Sequence, residues 1–361
     1  MVASEIATIF FLFNAVLRGS LVQSQGLQRG FYDSSCPDAE DIVRSTVEKY
    51  YNNDATIAPG LLRLHFHDCF VQGCDASVLI SGASSERSAP QNFGLRGFEV
   101  IDDAKSQLES TCPGVVSCAD ILALAARDSV DLTGGPSWSV PLGRRDGRIS
   151  SAADAKALPS PAEPVSVQRQ KFADQGMSDH DLVTLVGKSS SMLHTDAWHI
   201  MLSQSSGVTS AALSISRRWS AGAHTIGKTD CAFVRYRLYN FTATGNADPS
   251  ISPAFLPQLR SLCPPNGDPA RRVALDRDGA GSFDAAFFKN VRDGNAALES
   301  DQRLWGDDAT QGVVQKYAGN IRGLFGLRFT YEFPKAMVSL GGVAVKTGRQ
   351  GEIRRKCSRF N

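Results

Sequence analysis

The chain has 361 residues, 42% of them hydrophobic, enough to bury a sizeable core in one large domain or two smaller ones. Its 38 basic residues are balanced by 37 acidic ones, for a net charge of +1, and no lysine- or arginine-dense tract runs through it. That balance excludes a nucleic-acid binder held by a basic face and points to small-molecule partners.

Ile6–Leu17 is an apolar run broken only by Thr8 and Asn14, followed by the polar stretch Ser20–Gln25. It is too short for a bilayer core of ~30 Å, which needs ~20 residues, and reads as a secretory signal over residues 1–25. Its flank is atypical, with Glu5 and no lysine or arginine; the competing reading is a buried N-terminal helix. No other stretch is long and apolar enough to cross a membrane. Helical patterning then predicts Ala39–Tyr50 behind Pro37-Asp38, Ala58–Phe70, Val100–Leu108, and Cys118–Val130 capped by Ser117. Further helices are predicted over Val167–Ala173, Asp179–Val186, Cys231–Tyr239, Phe283–Val291, Thr310–Tyr317 and Tyr331–Leu340. Gly134–Pro136, Pro159–Pro164 and Cys263–Pro269 mark loops. With no repeat, heptad series or alternating strands, the expected fold is all-α.

Eight cysteines follow the signal: Cys36, Cys69, Cys74, Cys112, Cys118, Cys231, Cys263 and Cys357. An even count in an exported chain favours four disulfides, and spacing alone leaves their connectivity open. Zinc is the competing reading, but the chain has no CxxC pair. Asn240-Phe241-Thr242 is a glycosylation sequon.

The segment Leu61–Phe70 carries the most chemistry. Arg63 and His67, four residues apart, share one helix face. A neutral imidazole beside a fixed cation can relay a proton between two peroxide oxygens while the guanidinium stabilises the charge of the separating bond. By itself such a pair is more often a structural ion-paired face. His65 points elsewhere and reads as structural. The loop that follows offers Asp68, Asp75 and Ser77 with the carbonyls of Val71 and Gly73, hard oxygens suited to calcium, which takes about six to eight. The bland alternative is a solvated turn.

RLHFHDCFVQGCDASVL at Arg63–Leu79 closely resembles the distal segment of the class III plant peroxidases, the horseradish peroxidase type. The likeness continues through GFYDSSCP at Gly30–Pro37, SCADILALAARD at Ser117–Asp128, GGPSWSVPLGRRDG at Gly134–Gly147, AHTIG at Ala223–Gly227, SDQRL at Ser300–Leu304 and GEIRRKC at Gly351–Cys357. The resemblance implies one haem peroxidase domain over 26–361, its distal half about 26–165 and its proximal half about 166–361 sandwiching one haem b. It implies His67 as the acid–base, Arg63 as the polarising cation, Asn92 as the partner of His67, and Phe66 shielding the haem edge. His224 is the implied axial ligand, with Asp301 accepting its other ring proton. The distal calcium set is Asp68, Val71, Gly73, Asp75 and Ser77, with Glu86 acting through water. The proximal set is Thr225, Asp276, Gly279, Ser282 and Asp284. At Gly279 the family usually has threonine or serine, so this site offers only a carbonyl there and should bind more weakly.

The resemblance further implies disulfides Cys36–Cys112, Cys69–Cys74, Cys118–Cys357 and Cys231–Cys263, a buried Asp120–Arg144 ion pair, and a donor rim at Leu158–Pro161 that includes Pro159. The implied enzyme is a secreted monomer, in the cell wall or vacuole, reducing hydrogen peroxide to water with one-electron phenolic donors.

One departure stands out. The family joins a segment like Asp181–Gly187 directly to its Ala-His-Thr, whereas residues 188–222 intervene here without a family motif. A genuine insertion is one reading. Translated intron is the preferred one, since Gly187-Lys188-Ser189 and Ala221-Gly222 can be encoded by splice-site-like sequences. His194 and His199 inside it are not ligands. The rival functional reading is a haem-less, inactive protein of this fold, disabled by the insertion before His224.

Overall fold

Helix α1 (Ala39–Asn53) buries a stripe of Ala39, Val43, Thr46 and Val47, the spacing that lays one apolar face on a neighbour. Helix α2 (Ile57–Phe70) is different: every one of its residues is buried, so it forms the axis of the N-terminal half. Pro59 falls in its first turn, where a missing N–H breaks no helical bond. Helix α3 (Phe98–Thr111) starts at Gly97, whose φ of 101° suits glycine, and a Cβ there would stand 2.5 Å from Leu61 Cδ2. Helix α4 (Cys118–Leu132) begins where the Ser117 hydroxyl accepts the Asp120 N–H at 3.1 Å. It packs along α1 and α2.

The computed structural model describes residues 26–186, 220–221, 224–321 and 324–361. The signal segment 1–25, and the stretch 188–222 apart from Ser220 and Ala221, lie outside the described residues, as do His194 and His199. The C-terminal half contributes α5 (Val165–Asp174), α6 (Asp179–Val186), α7 (Arg235–Tyr239), α8 (Leu256–Leu262), α9 (Ala286–Arg292), α10 (Glu299–Gly306), α11 (Asp308–Tyr317) and α12 (Leu327–Gly341). Short strands β1 (Ser220–Ala221), β2 (Gly227–Asp230) and β3 (Arg272–Ala274) pair antiparallel in that order, and β4 (Asn320–Ile321) pairs with β5 (Leu324–Phe325). The fold is helical, as expected, and the strands are too short to leave an alternating pattern.

Several boundaries differ from the helical pattern for local reasons. Cys231–Tyr239 is not one helix but a 3-10 turn, Cys231–Phe233, followed by α7, because the Cys231 N–H donates to Arg271 O at 2.8 Å and its sulfur is tied to Cys263. Phe283 lies outside α9, since its N–H donates to Thr133 O at 2.9 Å and the Asp284 carboxylate takes the Ala286 N–H at 2.7 Å. Helices α8 and α10 were not foreseen.

The disulfides are Cys36–Cys112, Cys69–Cys74, Cys118–Cys357 and Cys231–Cys263, the four pairs that the resemblance implied. Arg144 Nη1 donates to Asp120 Oδ1 at 2.8 Å, both side chains almost wholly buried, and Tyr32 Oη donates to Asp120 Oδ2 at 2.8 Å. Removing one partner of such a pair typically costs about 3–5 kcal/mol. Among the described residues no helix is long and apolar enough to cross a membrane.

Candidate active site

Helix periodicity places Arg63 and His67 on one face of α2, and both are buried. Arg63 Nε donates to His67 Nε2 at 3.1 Å, and His67 Nδ1 lies 2.6 Å from Asn92 Oδ1. The Asn92 amide is oriented by its own Nδ2, which donates to Glu86 O at 2.8 Å. Only one tautomer satisfies this chain: His67 carries its proton on Nδ1, and Nε2 is the basic nitrogen. Burial pushes the Arg63 guanidinium down to about 10, which still leaves it cationic at neutral pH. Phe66 is buried one position before His67, its ring 4.3 Å from that of Phe70 and 6.1 Å from that of Phe172. His65 lies by the Cys69 sulfur at 3.7 Å, consistent with a structural part.

The loop after α2 gathers the acids. Asp68 Oδ2 accepts the Ala76 N–H at 2.9 Å, Asp75 Oδ1 accepts the Ser77 N–H at 3.0 Å, and the Ser77 hydroxyl donates to Val71 O at 3.5 Å. Gly73 has φ 89°, and a Cβ there would meet Ala344 O at 2.7 Å. Gln72 and Ala76 also sit in the left-handed region, at φ 64° and 60°, a conformation that costs roughly 1–2 kcal/mol per residue. Burial and the neighbouring Asp75 charge raise the Asp68 carboxyl well above its usual range. Burial, reinforced by Asp68, pushes Glu86 up to about 9. Ser77 is near enough to pull that value down, yet neither Glu86 carboxylate oxygen makes a hydrogen bond among the described residues.

The other half of the site comes from scattered segments. His224 follows the 188–222 segment closely, and its Nδ1 lies 2.7 Å from both Asp301 oxygens, with the two side chains fully buried. A proton shared with that carboxylate belongs on Nδ1, so Nε2 is the ligand-type nitrogen. Asp301 lies in the first turn of α10, where the helix dipole favours an anion. The Thr225 hydroxyl donates to Asp284 O at 2.6 Å and accepts the Asp284 N–H at 3.0 Å. Asp276 Oδ1 takes the Asn290 amide at 2.7 Å, while its buried Oδ2 has no hydrogen bond among the described residues. Burial, with Asp284 and Asp278 as repelling neighbours, pushes Asp276 up to about 6. Gly279 and Ser282 lie on the same loop, Ser282 exposed. The Asp230 carboxylate of β2 acts electrostatically on Arg63, which brings the two halves face to face.

A family profile described as peroxidase matches residues 43–320. Peroxidase 25 of Arabidopsis thaliana is 58% identical to this chain, over 98% of this chain and 97% of the relative. Peroxidase N1 of Nicotiana tabacum is 51% identical over 99% and 98%, and Peroxidase 62 of Arabidopsis thaliana 48% over 94% of each. The chain belongs to the peroxidase family.

Within the family it is of the plant class III type, a haem enzyme that reduces hydrogen peroxide with electrons from a donor. The reading of an inactive relative finds no support in these comparisons. Three groups of the peroxidase escaped the sequence reading. Arg354 is fully buried, and its guanidinium donates to Ala76 O and Gly147 O, both at 2.8 Å, so the C-terminus grips the acid-rich loop. Lys346 forms an ion pair with Asp75 and donates to Gln72 O at 3.3 Å. Arg237 Nε donates to Asp248 at 2.8 Å and its Nη1 to Ala297 O at 2.7 Å, bracing the chain ahead of α10. GEIRRKC was the only one of these visible as a motif; nothing in a buried arginine's neighbours announces its partners.

Proposed function

We propose that His67 is the acid–base and Arg63 the charge-stabilising cation of peroxide reduction, with His224 holding the haem iron and Asp301 orienting His224. The hydrogen bond from Arg63 Nε to His67 Nε2, together with the 2.6 Å contact to Asn92, carries this reading. An imidazole whose Nδ1 proton is fixed by an amide oxygen offers Nε2 as a base. That nitrogen accepts a proton from one peroxide oxygen and returns it to the other, so the leaving group departs as water. The Arg63 charge, little solvated, stabilises the negative charge that builds on that leaving oxygen. Haem held by His224 would supply the redox chemistry at iron. Phe66, Phe70 and Phe172 form an apolar wall next to His67 that excludes water. A His67→Leu variant should keep the haem absorption band and react with peroxide about 10²–10⁴-fold more slowly in stopped flow. Unchanged turnover would refute the assignment.

Calcium at two sites belongs to the same proposal. The residues fit: Glu86 and Asp276 Oδ2 are buried carboxylate oxygens without a hydrogen bond among the described residues, each amid further acids. A divalent cation would compensate both. Among the described residues no three His, Cys, Asp or Glu side chains are arranged to hold a metal ion by themselves, so carbonyl and hydroxyl oxygens would have to complete either set. Val71 O, Gly73 O and Ser77 would do so on the distal side, with Asp68 and Asp75. Thr225, Gly279 O and Ser282 O would do so on the proximal side, with Asp276 and Asp284.

The donors in this reading are small phenols, and the enzyme is a secreted, glycosylated monomer of the cell wall or vacuole. Asn240 is exposed, as a glycan acceptor must be. Pro159 is buried, in a loop whose Pro161 O accepts the Ser300 N–H at 3.0 Å, which supports a role at the base of the donor rim next to Asp301. Residues 188–222 are read as translated intron; transcripts that all contain the segment would overturn that.

A further inference from the structure

Tyr317 closes α11 and is fully buried in the main apolar cluster, where it is the only phenol among the described residues. A run of edge-to-face rings joins it to His224. Phe287 lies 6.1 Å from His224 between ring centroids, Phe288 5.2 Å from Phe287, and Tyr317 4.9 Å from Phe288. Phe329 packs on both Phe288 and Tyr317, at 4.8 Å and 5.5 Å, and fills the space beside the run. Phenylalanine is too hard to oxidise to hold a missing electron, so the run is a packed medium with one oxidisable ring at its end. The hydroxyl of that ring meets polar groups. Tyr317 Oη lies 3.0 Å from His180 Nε2 and 2.7 Å from Thr184 Oγ1, both on α6. The Thr184 hydroxyl donates to His180 O at 2.6 Å, which leaves Tyr317 a lone pair of its oxygen. A tie between α11 and α6 would need no more than that hydroxyl. With its own proton on Nδ1, His180 adds a base in contact with the phenol. Burial holds the Tyr317 phenol above its ordinary range, so the resting ring keeps its proton. Oxidation reverses that preference, because a phenol that loses an electron becomes a strong acid. His180 is half-buried, so a proton taken there has a way to water.

We propose that Tyr317 is an internal electron donor: when external donors are scarce, it is oxidised through Phe288 and Phe287 and passes its proton to His180. The inference rests on the peroxidase reading above, in which hydrogen peroxide is the oxidant. Tyr317 gives one electron to the oxidised enzyme and its hydroxyl proton to His180 Nε2. A neutral phenoxyl radical and a cationic imidazole remain. Reduction of hydrogen peroxide to two waters takes two electrons and two protons. Tyr317 supplies one electron and, through His180 and solvent, one proton; an external donor supplies the others. Until a later donor returns an electron and a proton to it, the ring holds one oxidising equivalent away from the haem.

The test mixes holoenzyme with an equivalent of hydrogen peroxide in the absence of phenols, freezes it at set times and reads electron paramagnetic resonance. Protein carrying ring-deuterated tyrosine, Tyr317→Phe and His180→Gln are treated alike. A radical signal is expected in the parent, narrowed by deuteration and lost in Tyr317→Phe. It should form about 10²-fold more slowly in His180→Gln, whose amide oxygen keeps the hydrogen bond without being a base. Absorbance gives a second readout: in Tyr317→Phe the oxidised form should outlive that of the parent several-fold. A signal that deuteration leaves unchanged overturns the proposal. So does one that persists in Tyr317→Phe, which puts the radical on another tyrosine or a tryptophan. Equal rates of formation in His180→Gln and the parent overturn it too, since the proton then has another exit. A parent whose haem band responds to peroxide but which yields no protein radical overturns the proposal and leaves the peroxidase reading intact. A haem band that peroxide leaves unchanged sinks the peroxidase reading and, with it, the role of Tyr317.

Discussion

The two sides of the active site are built in opposite ways. On the distal side Arg63, His67 and the acid-rich loop follow one another within a single buried helix and its exit, and only Asn92 and Glu86 come from a neighbouring loop. On the proximal side His224, Thr225, Asp276, Asp284 and Asp301 come from short strands, loops and the first turn of an eight-residue helix. A rigid helix fixes His67, the group proposed to move protons, where small displacements are costly. His224, the proposed iron ligand, depends instead on tertiary contacts that converge from distant segments, and its position is only as good as each of them.

The largest test of that contrast pairs two substitutions. His67→Leu should leave the haem band and abolish rapid reaction with peroxide, whereas His224→Leu should lose the band itself; equal behaviour of the two would break the division. Next comes Asp301→Asn, which keeps the shape but weakens the acceptor of the His224 proton. A loss of about 10–100-fold in haem affinity or peroxide reactivity is expected, followed by absorbance titration and stopped flow.

Protons should distinguish the calcium sites. With no cation bound, Glu86 titrates at about 9 and is protonated at pH 7, while Asp276 titrates at about 6 and is ionised. In the proposed reading, distal calcium uptake near neutrality should therefore expel protons, from Glu86 and from Asp68, whose carboxyl is also raised, and its affinity should climb with pH towards about 9. Proximal uptake should be nearly proton-neutral at pH 7 and weaken only as pH falls through about 6. Calorimetry in buffers of different ionisation enthalpy reads both. The smallest effect is Gly279→Ser. A Cβ at Gly279 would meet nothing closer than Ser282 Cβ at 4.0 Å, so the serine fits and its hydroxyl should tighten the proximal site several-fold against a chelator.

The difference in construction also explains what the sequence revealed. Arg63, His67, Asp68 and Asp75 were legible because helix geometry and a short loop turn spacing into proximity. Asn92 and Asp301 needed the family resemblance, since nothing within 25 or 77 positions of sequence marks their partners. The partners of the clamps were invisible for the same reason: Lys346 and Arg354 reach Asp75 and Ala76 across more than 270 positions. Helix α10 went unread because the Ser300-Asp301-Gln302 run in its first turn is polar although buried. The 3-10 turn at Cys231 went unread because a disulfide overrides local propensity there.

The grip of Arg354 on the loop that leaves α2, sealed by Cys118–Cys357, has a consequence for biosynthesis. The first catalytic segment to emerge from the ribosome cannot reach its finished shape until almost the last residues have followed it. Loading of the proposed distal calcium site would therefore be a post-translational event, completed only once Cys118–Cys357 has closed. A chain cut short by only a few residues at its carboxyl end would be crippled at the opposite end of its sequence.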